Sequence, residues 1–135
     1  MSETSARSTS SGAGRVLIAV YATFALAATG RSVVQLATKA GDAPFPYGLS
    51  ALAAVVYIAA TVGLARSGAR ARRVAWAACG LELVGVLVVG TLSLVESSWF
   101  PDDTVWSGFG RGYGFIPLVL PFAGLAWLNH TRTDR

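Results

Sequence analysis

Charged side chains are scarce in this sequence: they make up 13% of its 135 residues, whereas apolar residues make up 53%. A typical soluble domain carries about a quarter charged residues, so this chain has too little polar surface to stay dispersed in water. The sequence also contains a single cysteine, Cys79, and a single histidine, His130. These counts exclude a disulfide framework, a cysteine-rich metal site and a haem held by two histidines of this chain. The composition predicts an integral membrane protein with no metal or other cofactor.

Long apolar runs account for most of the chain, and they are residues 16–38, 47–65, 74–95 and 112–130. Each is close to the roughly 20 helical residues that cross a hydrocarbon core. Their Ala, Leu and Val runs lack the alternation of membrane strands. The sequence therefore predicts an all-α membrane protein, a four-helix transmembrane bundle with up-down-up-down order over residues 15–130. Residues 1–14 are predicted to be disordered because they are polar, and residues 131–135 are predicted to form a short cytoplasmic tail.

Positive charge is unevenly distributed over the predicted connections. Eight of the eleven Lys and Arg residues fall in the termini or between the second and third segments. These eight are Arg7, Arg15, Arg66, Arg70, Arg72, Arg73, Arg132 and Arg135. Cytoplasmic loops carry an excess of such residues, so both termini are predicted to be cytoplasmic, in a multi-pass protein of the cytoplasmic (inner) membrane. We attribute the net charge of +4 to this topology rather than to nucleic-acid binding.

The first apolar segment has an alternative interpretation as a cleaved signal peptide. Arg15, an apolar run and the small residues near Ala28 resemble such a signal. The apolar run continues beyond Arg31 to Ala37, which favours an uncleaved helix.

Glu82 is the only acidic residue within a predicted span. Counting from Val74 places it about 12 Å from the inner boundary, where an ionised carboxylate is costly unless it faces protein or water. Tyr57 lies at the same calculated depth, on one helical face with Ser50 and Thr61. We therefore predict an intramembrane polar site of these four residues, with a hydrogen bond between Tyr57 and Glu82. Glu82 is interpreted as a protonated acid that links helices; the alternatives are a titrating group in a transporter and a contact to a partner subunit.

A second group of polar residues lies near the opposite, outer boundary. Arg31 can extend its stem to the outer headgroups, or it can guard an outward-facing cavity. The loop between the third and fourth apolar segments combines carboxylates, an arginine and aromatic rings on a glycine-rich backbone. Its glycines match no phosphate-loop pattern. The candidate outer site comprises Arg31, Gln35, Asp102, Asp103, Trp106, Arg111 and Tyr113. The alternative is an interfacial loop whose glycines permit tight turns and whose aromatic rings lie among the headgroups.

Motifs of self-contained catalysis are missing from the predicted spans: there is no G-x-S-x-G, H-E-x-x-H or paired-carboxylate arrangement. The sequence therefore predicts a protein that is not an enzyme. The leading hypothesis is a structural or accessory subunit that associates in the lipid bilayer with itself or with a larger complex. The alternatives are a small proton-coupled secondary transporter that uses Glu82 and an extracytoplasmic lipid or sugar binder at the loop of residues 99–115.

Parts of the chain also carry a family resemblance. The stretches Tyr21 to Leu36, Pro46 to Tyr57 and Phe100 to Pro121 resemble uncharacterised small four-span integral membrane proteins of actinobacteria. The resemblance covers residues 15–128. It implies the four-span topology and an intact first helix, and it implies no activity, ligand or site residue.

Overall fold

The computed structural model describes residues 12–39, 44–99 and 104–132, and in this part of the chain it contains helices and no β-strand. The four α-helices are α1 (Ala13–Lys39), α2 (Pro44–Ala65), α3 (Ala69–Val95) and α4 (Ile116–Arg132). Two short 3-10 segments, Ser97–Trp99 and Ser107–Tyr113, lie between α3 and α4. Among the described residues, three helices are long and apolar enough to cross a membrane, and a fourth span exists if the Ser107–Tyr113 segment and α4 count as one. The fold therefore fits an integral, multi-pass membrane protein.

The first three helices extend beyond the apolar runs that predict them. α1 begins at Ala13, within the stretch predicted to be disordered. α2 begins at Pro44, because a proline at the start of a helix loses no hydrogen bond and its fixed φ suits the first turn. α3 begins at Ala69 and includes three arginines of the predicted basic loop, since arginine is a good helix former.

The fourth helix differs more from the prediction, which began it at residue 112. α4 begins at Ile116, and the Ser107–Tyr113 segment is bent away from it by 98°. The bend falls at two left-handed residues between the segment and the helix: φ is 65° at Gly114 and 61° at Phe115. A right-handed helix cannot contain such residues. α4 itself continues to Arg132, so its last turn includes two residues of the predicted tail.

Small residues allow the helices to approach one another closely. A Cβ atom added to Gly63 of α2 would lie 2.7 Å from the backbone nitrogen of Ala75 in α3. A Cβ atom added to Gly124 of α4 would lie 2.7 Å from Sγ of Cys79 in α3. Such contacts are typical of helix interfaces in membranes, where packing rather than the hydrophobic effect holds helices together.

Candidate functional site

Glu82 lies fully buried among side chains and backbone of other helices. The Tyr21 hydroxyl of α1 donates a hydrogen bond to Oε1 of Glu82 at 2.6 Å. The same hydroxyl oxygen lies 3.3 Å from the carbonyl oxygen of Leu120 in α4 and 3.4 Å from Sγ of Cys79. Because a hydroxyl carries one proton, we assign that proton to the short contact with Glu82. This contact joins α1 to α3 in the interior.

Tyr57 of α2, the partner predicted for Glu82, belongs to the same buried cluster. It interacts electrostatically with the carboxyl group, and its ring packs against that of Tyr21 with centroids 6.1 Å apart. Its hydroxyl accepts a hydrogen bond from Nε1 of Trp106 at 3.1 Å. The short hydrogen bond to Glu82 comes instead from Tyr21, which was not predicted from the calculated depths of the residues. A tyrosine within an apolar segment needs a partner for its hydroxyl, and this signal could have identified Tyr21.

In the described part of the chain, the other two residues of the predicted intramembrane site do not bond to Glu82. The Thr61 hydroxyl donates to the carbonyl oxygen of Tyr57 in its own helix, at 2.7 Å. Ser50 is buried, and its Oγ has no hydrogen-bond partner among the described residues. Oε2 of Glu82 likewise has no partner in the described part of the chain.

Residues 104–115, which we call the capping segment, pack onto α3. Two of their aromatic rings lie over glycines of that helix. Trp106 is only 1% exposed, so its ring lies inside the protein and not among lipid headgroups, contrary to the interfacial alternative. A Cβ atom added to Gly85 would lie 2.6 Å from the Trp106 ring, and one added to Gly90 would clash with the Phe109 ring. The two glycines of α3 thus make room for two aromatic rings of the capping segment.

Hydrogen bonds hold the backbone of the capping segment in place. The backbone N–H of Thr104 donates to Oγ of Ser107 at 2.8 Å, a local side-chain bond typical of turns. The backbone N–H of Gly108 donates to Oγ of Ser93 in α3 at 2.8 Å. The Ser93 hydroxyl in turn donates to the carbonyl oxygen of Gly90 at 2.9 Å. The segment is therefore fixed to α3 by both packing and hydrogen bonds.

A pocket of about 310 Å³ opens where the capping segment meets α1, and we call it the arginine pocket. Its lining residues are Arg31, Thr104, Ser107, Arg111, Gly112 and Tyr113. Nη1 of Arg31 donates to the Tyr113 hydroxyl at 3.1 Å. Arg31 is half-buried and Arg111 is exposed. Two guanidinium groups beside hydroxyl groups are suited to an anion, because the planar donor fork of arginine matches carboxylate and phosphate oxygens.

The structure separates the members of the predicted outer site. Arg31, Arg111 and Tyr113 line the arginine pocket, whereas Trp106 bonds to Tyr57 in the interior. The Gln35 side chain is buried, and its Oε1 has no hydrogen-bond partner among the described residues. Asp102 and Asp103 lie outside the described residues. Thr104 and Ser107 were not predicted to belong to this site, although their spacing of three is typical of a hydroxyl-stabilised turn.

Arg72 joins α3 to α4 at the other end of the protein. Its Nη1 donates to Oγ1 of Thr131 at 3.0 Å, and its Nη2 donates to the carbonyl oxygen of Leu128 at 2.6 Å. A cation near the last turn of a helix is favourable because carbonyl groups and the helix dipole concentrate negative charge there. Arg72, which was predicted only to mark the cytoplasmic side, thus links two helices.

The chain matches no protein-family model, and neither the curated proteins nor the solved structures show significant similarity to it. The resemblance to small membrane proteins of actinobacteria therefore stays a prediction.

Proposed function

We propose that this membrane protein binds a small anionic group, a phosphate or a carboxylate, in the arginine pocket and catalyses no reaction. The observation that carries the proposal is the convergence of Arg31 from α1 and Arg111 from the capping segment on one pocket. Guanidinium groups remain charged at all physiological pH values, so the two arginines make the pocket attractive to anions.

Hydroxyl groups of the pocket add a hydrogen-bond donor. The hydroxyl oxygens of Thr104 and Ser107 lie 3.1 Å apart, and Oγ1 of Thr104 also accepts from the backbone N–H of Trp106. Two hydroxyls carry two protons, and the contact between them uses one. The other proton is available to a bound oxyanion.

We further propose that the four helices form an up-down-up-down bundle with both termini on the cytoplasmic side. One contact between α1 and α4 and one between α1 and the capping segment support this order. Tyr21 of α1 contacts Leu120 of α4, whereas Arg31, farther along α1, contacts Tyr113, which precedes α4 in the chain. Sequence numbers thus rise along α1 as those of its contact partners fall. The distribution of positive charge then places the arginine pocket at the outer membrane boundary, where dissolved anions and lipid headgroups both reach it.

The other predicted roles are compatible with this site and stay predictions. An accessory subunit could use the arginine pocket to hold an anionic group of a larger complex. A proton-coupled transporter would use Glu82, whose Oε2 has no hydrogen-bond partner in the described part of the chain.

Calorimetric titration of the purified protein with glycerol 3-phosphate tests the proposal. Arg31→Gln and Arg111→Gln are each expected to weaken binding about tenfold or more, because each removes a charge-assisted hydrogen bond worth about 1.5–3 kcal/mol. Arg73→Gln is the matched control, since it removes an equal charge from an exposed residue that does not line the pocket. Equal affinity in all four proteins would contradict the proposal.

A further inference from the structure

A pocket of about 300 Å³ lies between α2 and α3, at the end of the protein opposite to the arginine pocket. We call it the α2–α3 pocket. Its lining residues are Val62, Gly63, Arg66, Ser67, Arg70, Ala71 and Val74. The two arginines come from the two sides of the connection between the helices, and neither belongs to the proposed anion site.

The α2–α3 pocket has a charged rim and an apolar base. Arg66 comes directly after the last residue of α2, and Arg70 lies in the first turn of α3. Val62 precedes Arg66 by one helical turn, and Val74 follows Arg70 by one turn. One turn advances a helix by about 5.4 Å, so each valine lies about 5 Å deeper in its span than the arginine beside it. Because arginine suits the membrane boundary and valine suits the hydrocarbon core, the pocket crosses the transition between the two.

Gly63 closes the base of the pocket against α3. A Cβ atom added to Gly63 would lie 2.7 Å from the backbone nitrogen of Ala75 and 3.0 Å from the carbonyl oxygen of Ala71. The backbones of α2 and α3 therefore lie in contact at this level. Both arginines and both valines of the lining are exposed, so the pocket is closed towards the interior and accessible from outside.

The positive charge of Arg66 and Arg70 has no nearby counter-charge in the described part of the chain. The acidic residues of that part are Glu82 and Glu96. They lie about 18 Å and 39 Å from Arg70 along α3, at 1.5 Å per residue. A phosphate group would supply the counter-charge, because guanidinium donors match its oxygens and basic pockets between membrane helices suit lipid headgroups.

We propose that the α2–α3 pocket binds an anionic phospholipid of the adjoining leaflet, whose phosphate contacts Arg66 and Arg70 and whose glycerol and first acyl carbons lie over Val62 and Val74. The apolar base favours a lipid over a free phosphate, which would leave the valines uncovered. It also favours a lipid over a second copy of the chain, since a twofold contact here would bring the arginines of both copies together. In the proposed orientation, this leaflet is the cytoplasmic one.

Binding of phosphatidylglycerol to the protein in a neutral detergent tests the inference. Arg66→Gln and Arg70→Gln are each expected to weaken binding about fivefold or more, because each removes a charged donor from the phosphate. Ser67→Glu, which places a negative charge in the lining, is expected to weaken binding as well. Arg73→Gln is the matched control and is expected to weaken binding less, because Arg73 is exposed on α3 and does not line the pocket. Each variant is also made in the Arg31→Gln protein, so that lipid held in the arginine pocket does not contribute.

Unchanged binding in Arg66→Gln and Arg70→Gln would overturn the inference. Equal weakening by Arg73→Gln would overturn it too, because it would indicate attraction to a diffuse positive surface. Phosphatidylcholine, which carries no net charge, is expected to bind more weakly, and equal binding of the two lipids would contradict an anionic headgroup. Glycerol 3-phosphate binding is expected to be unchanged in Arg66→Gln, and a loss there would show that the pocket takes a free phosphate instead of a lipid.

The test of the α2–α3 pocket is independent of the proposed function. Unchanged glycerol 3-phosphate binding in Arg31→Gln would contradict the anion site in the arginine pocket. It would not alter the expected loss of phosphatidylglycerol binding in Arg66→Gln, because the two pockets share no lining residue.

Discussion

The contact between Tyr21 and Glu82 shows how one buried carboxyl group can organise a membrane protein. Both side chains are fully buried, and their hydrogen bond is 2.6 Å long. A buried polar group that loses its partner costs free energy, because no water replaces the bond. The pair therefore favours the arrangement in which the Tyr21 side chain of α1 reaches Glu82 of α3 across the interior.

A double-mutant cycle measures this contribution at the scale of the residue. Tyr21→Phe removes only a hydroxyl and is expected to lower the free energy of unfolding by about 1 kcal/mol, a typical value for a hydrogen bond between membrane helices. With Glu82→Leu, which removes the acceptor, the double variant is expected to lose less than the sum of the single losses. The measurement is unfolding of the detergent-solubilised protein in a denaturing-detergent titration.

Thr61→Val is the control for this cycle, because its hydroxyl bonds only within its own helix. It is expected to cost less than Tyr21→Phe. Strictly additive losses for Tyr21→Phe and Glu82→Leu would show that the hydrogen bond contributes nothing to stability.

The capping segment is the element whose conformation depends most on glycine. Gly108, Gly110 and Gly114 have positive φ values of 59°, 83° and 65°, which glycine adopts without steric cost. Phe109 and Phe115 also have positive φ, at 62° and 61°, a conformation that costs side-chain-bearing residues about 1–2 kcal/mol. For Phe109 the packing of its ring over Gly90 offsets that cost.

Alanine substitutions along α3 test how the capping segment is held. Gly90→Ala places a methyl group in the position of the Phe109 ring, so it is expected to lower the free energy of unfolding by about 1–3 kcal/mol through overpacking. Gly80→Ala is the matched control on the same helix, because a Cβ atom there meets nothing within 4 Å. It is expected to be neutral or stabilising by up to about 1 kcal/mol, since alanine is the better helix former.

The same two variants also report on the position of the segment. Trp106 packs against Tyr57 and Gly85, so tryptophan fluorescence is expected to shift in Gly90→Ala and to remain unchanged in Gly80→Ala. Unchanged stability and fluorescence in Gly90→Ala would indicate that Phe109 does not pack over Gly90.

The whole molecule is asymmetric in charge and in packing between its two ends. Arg72 joins α3 to α4 at the end that also holds the connection between α2 and α3. Arg31 and Arg111 line one pocket at the opposite end, where the capping segment meets α1. The proposed orientation places the first end in the cytoplasm and the second at the outer boundary.

Cysteine labelling in intact cells tests this orientation. Ser67 and Ser98 are exposed, and they lie in the connections after α2 and after α3. A membrane-impermeant maleimide is expected to label Ser98→Cys and to leave Ser67→Cys unlabelled until the cells are opened. The native Cys79 is fully buried and provides a low background. Labelling of Ser67→Cys alone from outside would reverse the orientation, and labelling of both variants from outside would show that α3 does not cross the membrane.

The sequence by itself determined the class of protein and the approximate position of every apolar segment. Whether a segment crosses the lipid depends on its length and its composition. Both can be read from consecutive residues without knowing the fold. It also identified Glu82, Arg31, Arg111 and Tyr113 as residues of interest, because polar groups are costly at or within a membrane.

Only the tertiary structure decided which of these residues meet. Adjacent helical residues differ in direction by about 100°, so small errors in the start of a helix change both the depth and the face of a side chain. Depth counting selected Tyr57 for Glu82, and the packed helices bring both Tyr57 and Tyr21 to the carboxyl group, with the short hydrogen bond coming from Tyr21. The break before α4 likewise arises from a glycine-rich backbone that packs onto α3. The pocket shared by Arg31 and Arg111 exists because that packing brings distant parts of the chain together.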